Sequence, residues 1–451
     1  MLLCLIVLFS PARVGAADGV GLTVYNQNFA VVREHRAMDL AGGRSTVRFD
    51  NVAATIVPES VQFRCLQPAG GAKVIEQNYE FDLVNADKLL TKYIDRGVSV
   101  VTREGEVLDG KLLSFDAGQL VLTNDDGVQL VPRGENIKDI RFSTLPEGLL
   151  TKPTLVWQIE SQQAGPHDVE VAYRANNIVW QVDYRATADG DGSHVDLSGW
   201  VTVTNNTGAT YADAHLKLMA GDVNVVEDEA EAMPAAVPMR ALARRGKATT
   251  QFEEKSFAEY HLYTLPRPTT IRDKQTKQIE LIDVTGIPVK RRYVYRGEGN
   301  KVAVMLEFKN AKTVHPDLGM PLPKGPIRVF QIDADRQAEF LGSDAIDHTS
   351  KDEPVKIRVG YAFDLTAERT QLDQRRPAQR VNEQDWRIRL RNHKDNAVKI
   401  EVIERLQGGA NWTVPRESHP HEKKDFNTIV YTVDVPANSE RVVTYTARYQ
   451  W

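Results

Sequence analysis

The sequence predicts a mainly β, multidomain protein: antiparallel β-sandwiches, one small five-stranded barrel and a single short helix. Three observations predict it. Apolar and polar residues alternate with a period of two along most of the 451 residues, which buries one face of a strand and wets the other. Clusters of Gly, Asn and Pro interrupt the alternation at short intervals, the spacing of many short strands joined by turns. The chain is also too long for one core, and domains of roughly 100–150 residues imply about three or four. Hydrophobic residues at 42% and charged residues at 26% are ordinary for a folded protein. A net charge of −5 offers no excess of cations for a phosphate backbone, so no nucleic-acid partner is expected.

The first residues, "MLLCLIVLFSPARVGAADG", hold a short apolar run from Leu2 to Phe9 and small residues ending at Ala16. That pattern predicts a signal peptide over 1–16 and no transmembrane span, so the mature chain is expected in the periplasm or outer envelope. Cys4 stands in no lipoprotein cleavage box and leaves with the leader. Cys65, in the alternating "SVQFRCL", is then an unpaired strand thiol. Residues 17–84 read as an N-terminal β region that pairs with later strands.

In "NADKLLTKYIDRG", Asn85 is placed to cap a helix, Leu89, Leu90, Tyr93 and Ile94 share a side, and Gly97 stops it. About five short strands with Gly-rich bends follow, closing a unit at 85–145. Its "DGKLLSFDAGQLVL" and "VPRGENI" resemble the Sm-like fold, a helix followed by an Sm/SH3-like barrel. In that family an Asn of the first motif and an Arg-Gly of the second line an RNA pocket. Here Gln119 stands at the Asn position, while Arg133 and Gly134 match.

Residues 146–226 read as part of a β-sandwich. Leu155, Trp157 and Ile159 alternate, as do Ile178, Trp180, Val182 and Tyr184; the rings either fill the core or form a sugar-stacking face. "ADGDGSHVDL" joins two strands. Asp189, Asp191, Ser193 and Asp196 resemble a calcium loop, yet His194 and Trp200 occupy the places of its Gly and Glu, which favours a hairpin turn. In "GWVTVTNNTGATYADAHLKLMAGDV", Val195, Leu197, Val201 and Val203 face in. "NNTG" then turns the chain into a second strand with Leu216 and Leu218, predicting a hairpin. Trp200 falls on the wet face, where either another layer covers it or it contacts a ligand.

The Ala-, Pro- and Met-rich stretch at 227–250 cannot alternate and reads as a mobile exposed insertion. Residues 251–350 read as a β domain and 351–451 as a C-terminal β-sandwich. "DWRIRLRNHKDNAVKIEVIERL" predicts a hairpin with Trp386, Ile388 and Leu390 inward and Arg387, Arg389 and Arg391 outward. That stripe could hold an anion or be neutralised by Glu401 and Glu404 across the return strand with Lys399. Val443, Tyr445, Ala447, Tyr449 and Trp451 share one face of the last strand.

No phosphate loop, dinucleotide glycine pattern, nucleophile elbow or HExxH is written in the chain. His419 and His421 make two ligands without a third, and Asp344, Asp347 and His348 read as a solvated turn. No catalytic residue, metal set or cofactor is assigned, and the chain is expected not to be an enzyme. The candidate ligand contacts are Trp200, Arg387, Arg389 and Arg391.

"GLTVYNQNFAVVRE", "EQNYEFDL", "KPTLVW", "GWVTVTNNTGATYADAHLKLMAGDVN" and "VTYTARYQW" together resemble a bacterial family defined by a domain of unknown function. The same domain forms the C-terminal part of mucoidy-inhibitor-A-like proteins, whose preceding coiled coil has no counterpart here. The resemblance implies an exported all-β envelope protein. A binding or scaffold module, with an envelope protein or polysaccharide as partner, is the expected function; a carbohydrate-active protein and an adhesion role through 227–250 are the alternatives.

Overall fold

The computed structural model describes residues 19–80, 86–134, 136–144, 152–221, 223–224, 251–407 and 411–451. The expected leader, Asn85 and the 227–250 stretch lie outside them. The described chain is mainly β and multidomain, with one helix.

Alternation becomes ladders in five sheets. The first runs in the order Glu253–Phe257, Tyr260–Thr264, Tyr211–Ala220, Val20–Tyr25, Phe29–Leu40, Gly165–Asn176 and Ile56–Gln67, with Thr269–Ile271 also paired to Tyr211–Ala220. A second holds Thr154–Ser161 between Gly43–Asp50 and Ala72–Glu80. A third runs Gln275–Pro288, His194–Asn205, Ile178–Ala188, Gly325–Ile332 and Ala338–Ile346. These three enclose one continuous apolar core that includes Leu22, Phe49, Trp157, Trp180, Tyr184, Val201 and Ile357. Trp180 of the third sheet donates its indole N–H to the Met219 carbonyl of the first at 3.1 Å, and Trp157 donates to Gln77 at 2.8 Å. Their rings are buried, so the sugar-stacking alternative falls and these aromatics are core.

The C-terminal sheet runs Asn411–Glu417, Ser439–Gln450, Val381–Asn392, Pro354–Ala378, Lys301–Lys309, Lys290–Tyr295, Val398–Arg405, Thr428–Val435 and His421–Lys423. Its two edge strands follow each other in sequence, so the sheet folds back around a second core of Ile388, Leu390, Ile400, Val433, Tyr445 and Tyr449. Two strands join the cores: Lys301–Lys309 places Val302 in the second and Leu306 in the first, and Pro354–Ala378 places Ile357 in the first and Leu365 in the second.

Both hairpins expected by adjacency are absent. His194–Asn205 and Tyr211–Ala220 lie in different sheets, and Tyr211–Ala220 instead pairs in parallel with Val20–Tyr25. Val381–Asn392 pairs with Pro354–Ala378 and Ser439–Gln450, whereas Val398–Arg405 pairs in parallel with Lys290–Tyr295. In each case the polar face alternates as a hairpin would, but the apolar faces belong to different layers, and burial decides the partner. The hairpin across Asp189 is present, with Ile178 opposite Asn205 and Ala188 opposite Val195. Trp451 falls outside the last strand and is exposed, while Val443, Tyr445, Ala447 and Tyr449 are buried as expected.

Between Ala72–Glu80 and Thr154–Ser161 lies a separate unit with its own core of Leu90, Tyr93, Val100, Leu112 and Leu122. The helix spans Ala86–Lys92, shorter than expected; Asp95 takes a positive φ, and Ile94, now beyond the helix face, is exposed. Five strands follow in the order Ile137–Phe142, Gly97–Thr102, Val107–Phe115, Gln119–Asn124 and Gly127–Pro132. The unit is thus a helix followed by a five-stranded antiparallel ladder, as expected, and among the described residues no pairing joins the ladder's two edges. Gly127–Pro132, at one edge, buries only Val131. Arg133 is engaged internally, bonding Asp87 at 2.8 Å and the Asp116 carbonyl at 2.7 Å.

This unit sits at the tip of a hairpin, because Glu80 and Thr154 are direct partners. Its excision therefore leaves two chain ends side by side. Replacing residues 81–153 with a short turn is expected to preserve one cooperative thermal transition for the remaining sheets. Aggregation or loss of that transition would show that the inserted unit supports the main core.

Candidate functional site

Trp200 projects from the middle of the His194–Asn205 strand, second from the edge of the third sheet. The side chains of Val195, Leu197, Val201 and Val203 are committed to the core, so the alternate positions Ser198, Trp200 and Thr202 face outward. Trp200 is 39% exposed, and no ring or cation stacks on it among the described residues. The covering layer considered above is not among the described residues. Its cross-strand partners are Asp183 on one side and Glu280 on the other. The Gln275–Pro288 strand carries a bulge opposite Gly199 and Trp200, where Leu281 and Ile282 are both buried; bulges of this kind re-aim side chains. Gly199 is required beneath the ring: a Cβ there would lie 2.9 Å from Ile282 Cγ2 and 2.9 Å from Tyr184 Cδ1.

Polar groups surround the ring. Thr202 Oγ1 donates to Asp183 at 3.2 Å, Gln278 donates to Thr202 at 3.3 Å, and Gln181 donates to Asp183 at 3.4 Å. Arg328 lies 3.5 Å from the other Asp183 oxygen. Asp196 accepts the Gly286 N–H at 2.8 Å. Glu280 and Asp283 have no hydrogen-bonding or oppositely charged partner among the described residues. Partial burial first, and the Asp283 charge second, raise the Glu280 carboxyl above its ordinary range; burial and then Asp196 do the same for Asp283. Along the sheet, Arg185 stacks 4.4 Å over Phe330, and Phe330 meets Phe340 edge-on at 5.5 Å.

The three arginines lie on a different sheet from Trp200. Arg389 is 3.2 Å from Glu440 and 4.0 Å from Glu368; Arg391 is 3.0 Å from Glu440 and 3.7 Å from Glu368. Arg387 sits between Thr370 and Thr444. The stripe is thus largely neutralised, but by Glu368 and Glu440. Glu401 instead accepts from Arg292 at 2.7 Å, and Glu404 points into the second core, because the expected hairpin that would bring them alongside does not form.

Glu404 is the most buried carboxylate of the C-terminal sheet, 1% exposed. Arg369 Nε donates to both its oxygens at 2.9 and 3.2 Å, and the Tyr445 hydroxyl donates to it. The Arg369 guanidinium lies 3.3 Å over the Trp386 ring. Burial first and the Glu404 charge second push the Tyr445 hydroxyl well above the usual tyrosine range. With both oxygens engaged, this carboxylate is placed to hold layers together rather than to exchange protons. Glu404→Ala would strand a half-buried guanidinium, and breaking such a pair costs about 3 kcal/mol. Chemical denaturation is expected to show that loss; a change below about 1 kcal/mol would contradict the assignment.

Asp189, Ser193 and His194 meet on the exposed hairpin turn. Ser193 Oγ is 3.1 Å from Asp189 and 2.8 Å from His194 Nδ1, and the same Nδ1 is 3.2 Å from Asp189. A nucleophilic triad needs the two imidazole nitrogens to face different partners, so this is a turn clasp. Against an upward push from partial burial, the His194 N–H and Ser193 hydroxyl lower Asp189 to about 2. A depressed carboxylate stabilises above its unfolded pKa and loses that contribution as pH falls through the folded one. The carboxyl resonance of Asp189 is therefore expected to titrate near pH 2, with the clasp loosening between about pH 4 and 2; a midpoint near 4 would refute the clasp. His421 bonds Glu417 at 2.7 Å and His419 bonds Ser418 at 2.9 Å. Asp344 accepts the Arg358 N–H at 2.7 Å. Cys65 is buried. Among the described residues no three His, Cys, Asp or Glu side chains come close enough to hold a metal.

Sequence reading singled out Trp200 but missed Asp183, Glu280 and Asp283. The hairpin across Asp189 carried enough signal to pair Asp183 with Trp200; the pairing with Glu280 spans a distant stretch and a bulge, and had none.

No curated protein matches the chain significantly. The family model described as Domain of unknown function (DUF4139) matches residues 169–451, more than half of the sequence. The Trp200 face, the arginine stripe and the Glu404 network all lie within that match, and the chain belongs to the DUF4139 family.

Proposed function

We propose that the protein is an exported envelope component that recognises rather than transforms its ligand, and that the Trp200 face binds a glycan. The observation that carries this reading is a tryptophan held outward on a strand paired on both sides, with Asp183 and Glu280 directly beside it. An indole face accepts the apolar C–H face of a pyranose, and carboxylates at its edges accept hydrogen bonds from in-plane hydroxyls. Recognition sites of this kind combine an aromatic surface with a few fixed polar groups. The sheet supplies the rigidity, since the opposite face of every central strand is core. The apolar run from Leu2 to Phe9, followed by small residues ending at Ala16, supports export. The Glu404 and Asp189 clusters support binding over turnover, because each is closed on its own partners.

The test is a glycan-binding titration with the mature chain and Trp200→Ala. Binding is expected to weaken by about tenfold or more, equivalent to about 1.4 kcal/mol, with an unchanged melting temperature because the ring is not core. Equal binding by both proteins, or release of glycan fragments during the titration, would overturn the reading.

A further inference from the structure

The charge around Trp200 is uneven. Asp183 and Glu280 flank Trp200 on the neighbouring strands, Asp283 lies opposite Ser198, and Asp196 stands two residues further along the Trp200 strand. Asp183 is offset by Arg328 at 3.5 Å and Asp196 by a backbone N–H at 2.8 Å. Glu280 and Asp283 have no such partner among the described residues. We propose, resting on the glycan reading above, that the preferred ligand of this face is an amino-sugar polymer bearing free amino groups, with ammonium groups seated on Glu280 and Asp283 and a pyranose ring on Trp200.

A neutral sugar laid on this face would draw two carboxylates further from water while offering only hydroxyl donors. An ammonium offers three donors and cancels the charge, and charge-assisted hydrogen bonds are roughly twice as strong as neutral ones. An anionic glycan would be repelled. Glu280 and Asp283 lie three residues apart on one strand and share its outward face, because the bulge buries both Leu281 and Ile282 between them. Part-burial first, then the Asp283 charge on Glu280 and the Asp196 charge on Asp283, already disfavour their ionised forms, so a bound cation relieves an existing cost.

Four probes decide between the sources of this chemistry: a fully de-N-acetylated glucosamine hexamer, its N-acetylated counterpart, hexalysine, and the de-N-acetylated hexamer at raised salt. The free-amine hexamer is expected to bind at least tenfold tighter than the acetylated one, to weaken with salt, and to lose affinity with Trp200→Ala. The pair Glu280→Gln and Asp283→Asn should erase the preference while retaining the weaker binding of the acetylated hexamer, with thermal melting confirming that each variant folds. Equal binding of the two hexamers, both dependent on Trp200, would overturn the ammonium proposal and leave the glycan reading standing. Binding of neither would overturn both. Hexalysine binding more tightly than the amine hexamer, with the same dependence on Trp200, would assign the face to a cationic protein segment and overturn the proposal.

Discussion

The register of the His194–Asn205 strand is the constraint on which the candidate site depends. Val195, Leu197, Val201 and Val203 are buried on one face, and a slip of one residue would expose all four while driving Trp200 inward. At about 25 cal/mol per Å² of apolar surface, no alternative register competes. Gly199 tightens the constraint, since Tyr184 and Ile282 fill the space a side chain would take. The outward tryptophan is therefore a consequence of a filled core, and its neighbours Asp183 and Glu280 follow from the ladder hydrogen bonds.

The same core explains how the parts cohere. The family match begins at residue 169, inside the Gly165–Asn176 strand. That strand is flanked by Phe29–Leu40 and Ile56–Gln67, and Val20–Tyr25 fills the place between Phe29–Leu40 and Tyr211–Ala220. The matched region thus shares its first core with residues that precede it. The Lys301–Lys309 and Pro354–Ala378 strands then carry the chain from that core to the second, with backbone ladders continuous across the junction. The unit inserted at the tip of the Ala72–Glu80 and Thr154–Ser161 hairpin has its own core and touches none of this logic.

Much of the architecture was legible in the residues because burial writes itself as alternation. The face assignments of Trp157, Trp180, Tyr184, Ile388, Leu390 and Tyr445 follow directly from it. Partner choice was not legible. The parallel pairings of Val20–Tyr25 with Tyr211–Ala220 and of Lys290–Tyr295 with Val398–Arg405 join stretches far apart in sequence, and local alternation carries no information about them. That is also why Glu401 and Glu404 were set beside the arginine stripe: sequence proximity suggested a hairpin, whereas Glu404 serves the second core with Arg369 and Tyr445. Of the candidate site, Trp200 was visible as a break in the wet face and Asp183 was within reach of the hairpin across Asp189; Glu280 and Asp283 needed a bulge and a distant strand to come alongside.

The outward face around Trp200 is the proposed meeting point of the protein and its ligand. Hydrogen–deuterium exchange of the purified protein, with and without a bound de-N-acetylated glucosamine hexamer, tests it most directly. Protection should concentrate in residues 181–185, 198–202 and 278–283. Protection centred instead on Arg387, Arg389 and Arg391, with the Trp200 strand unchanged, would contradict it.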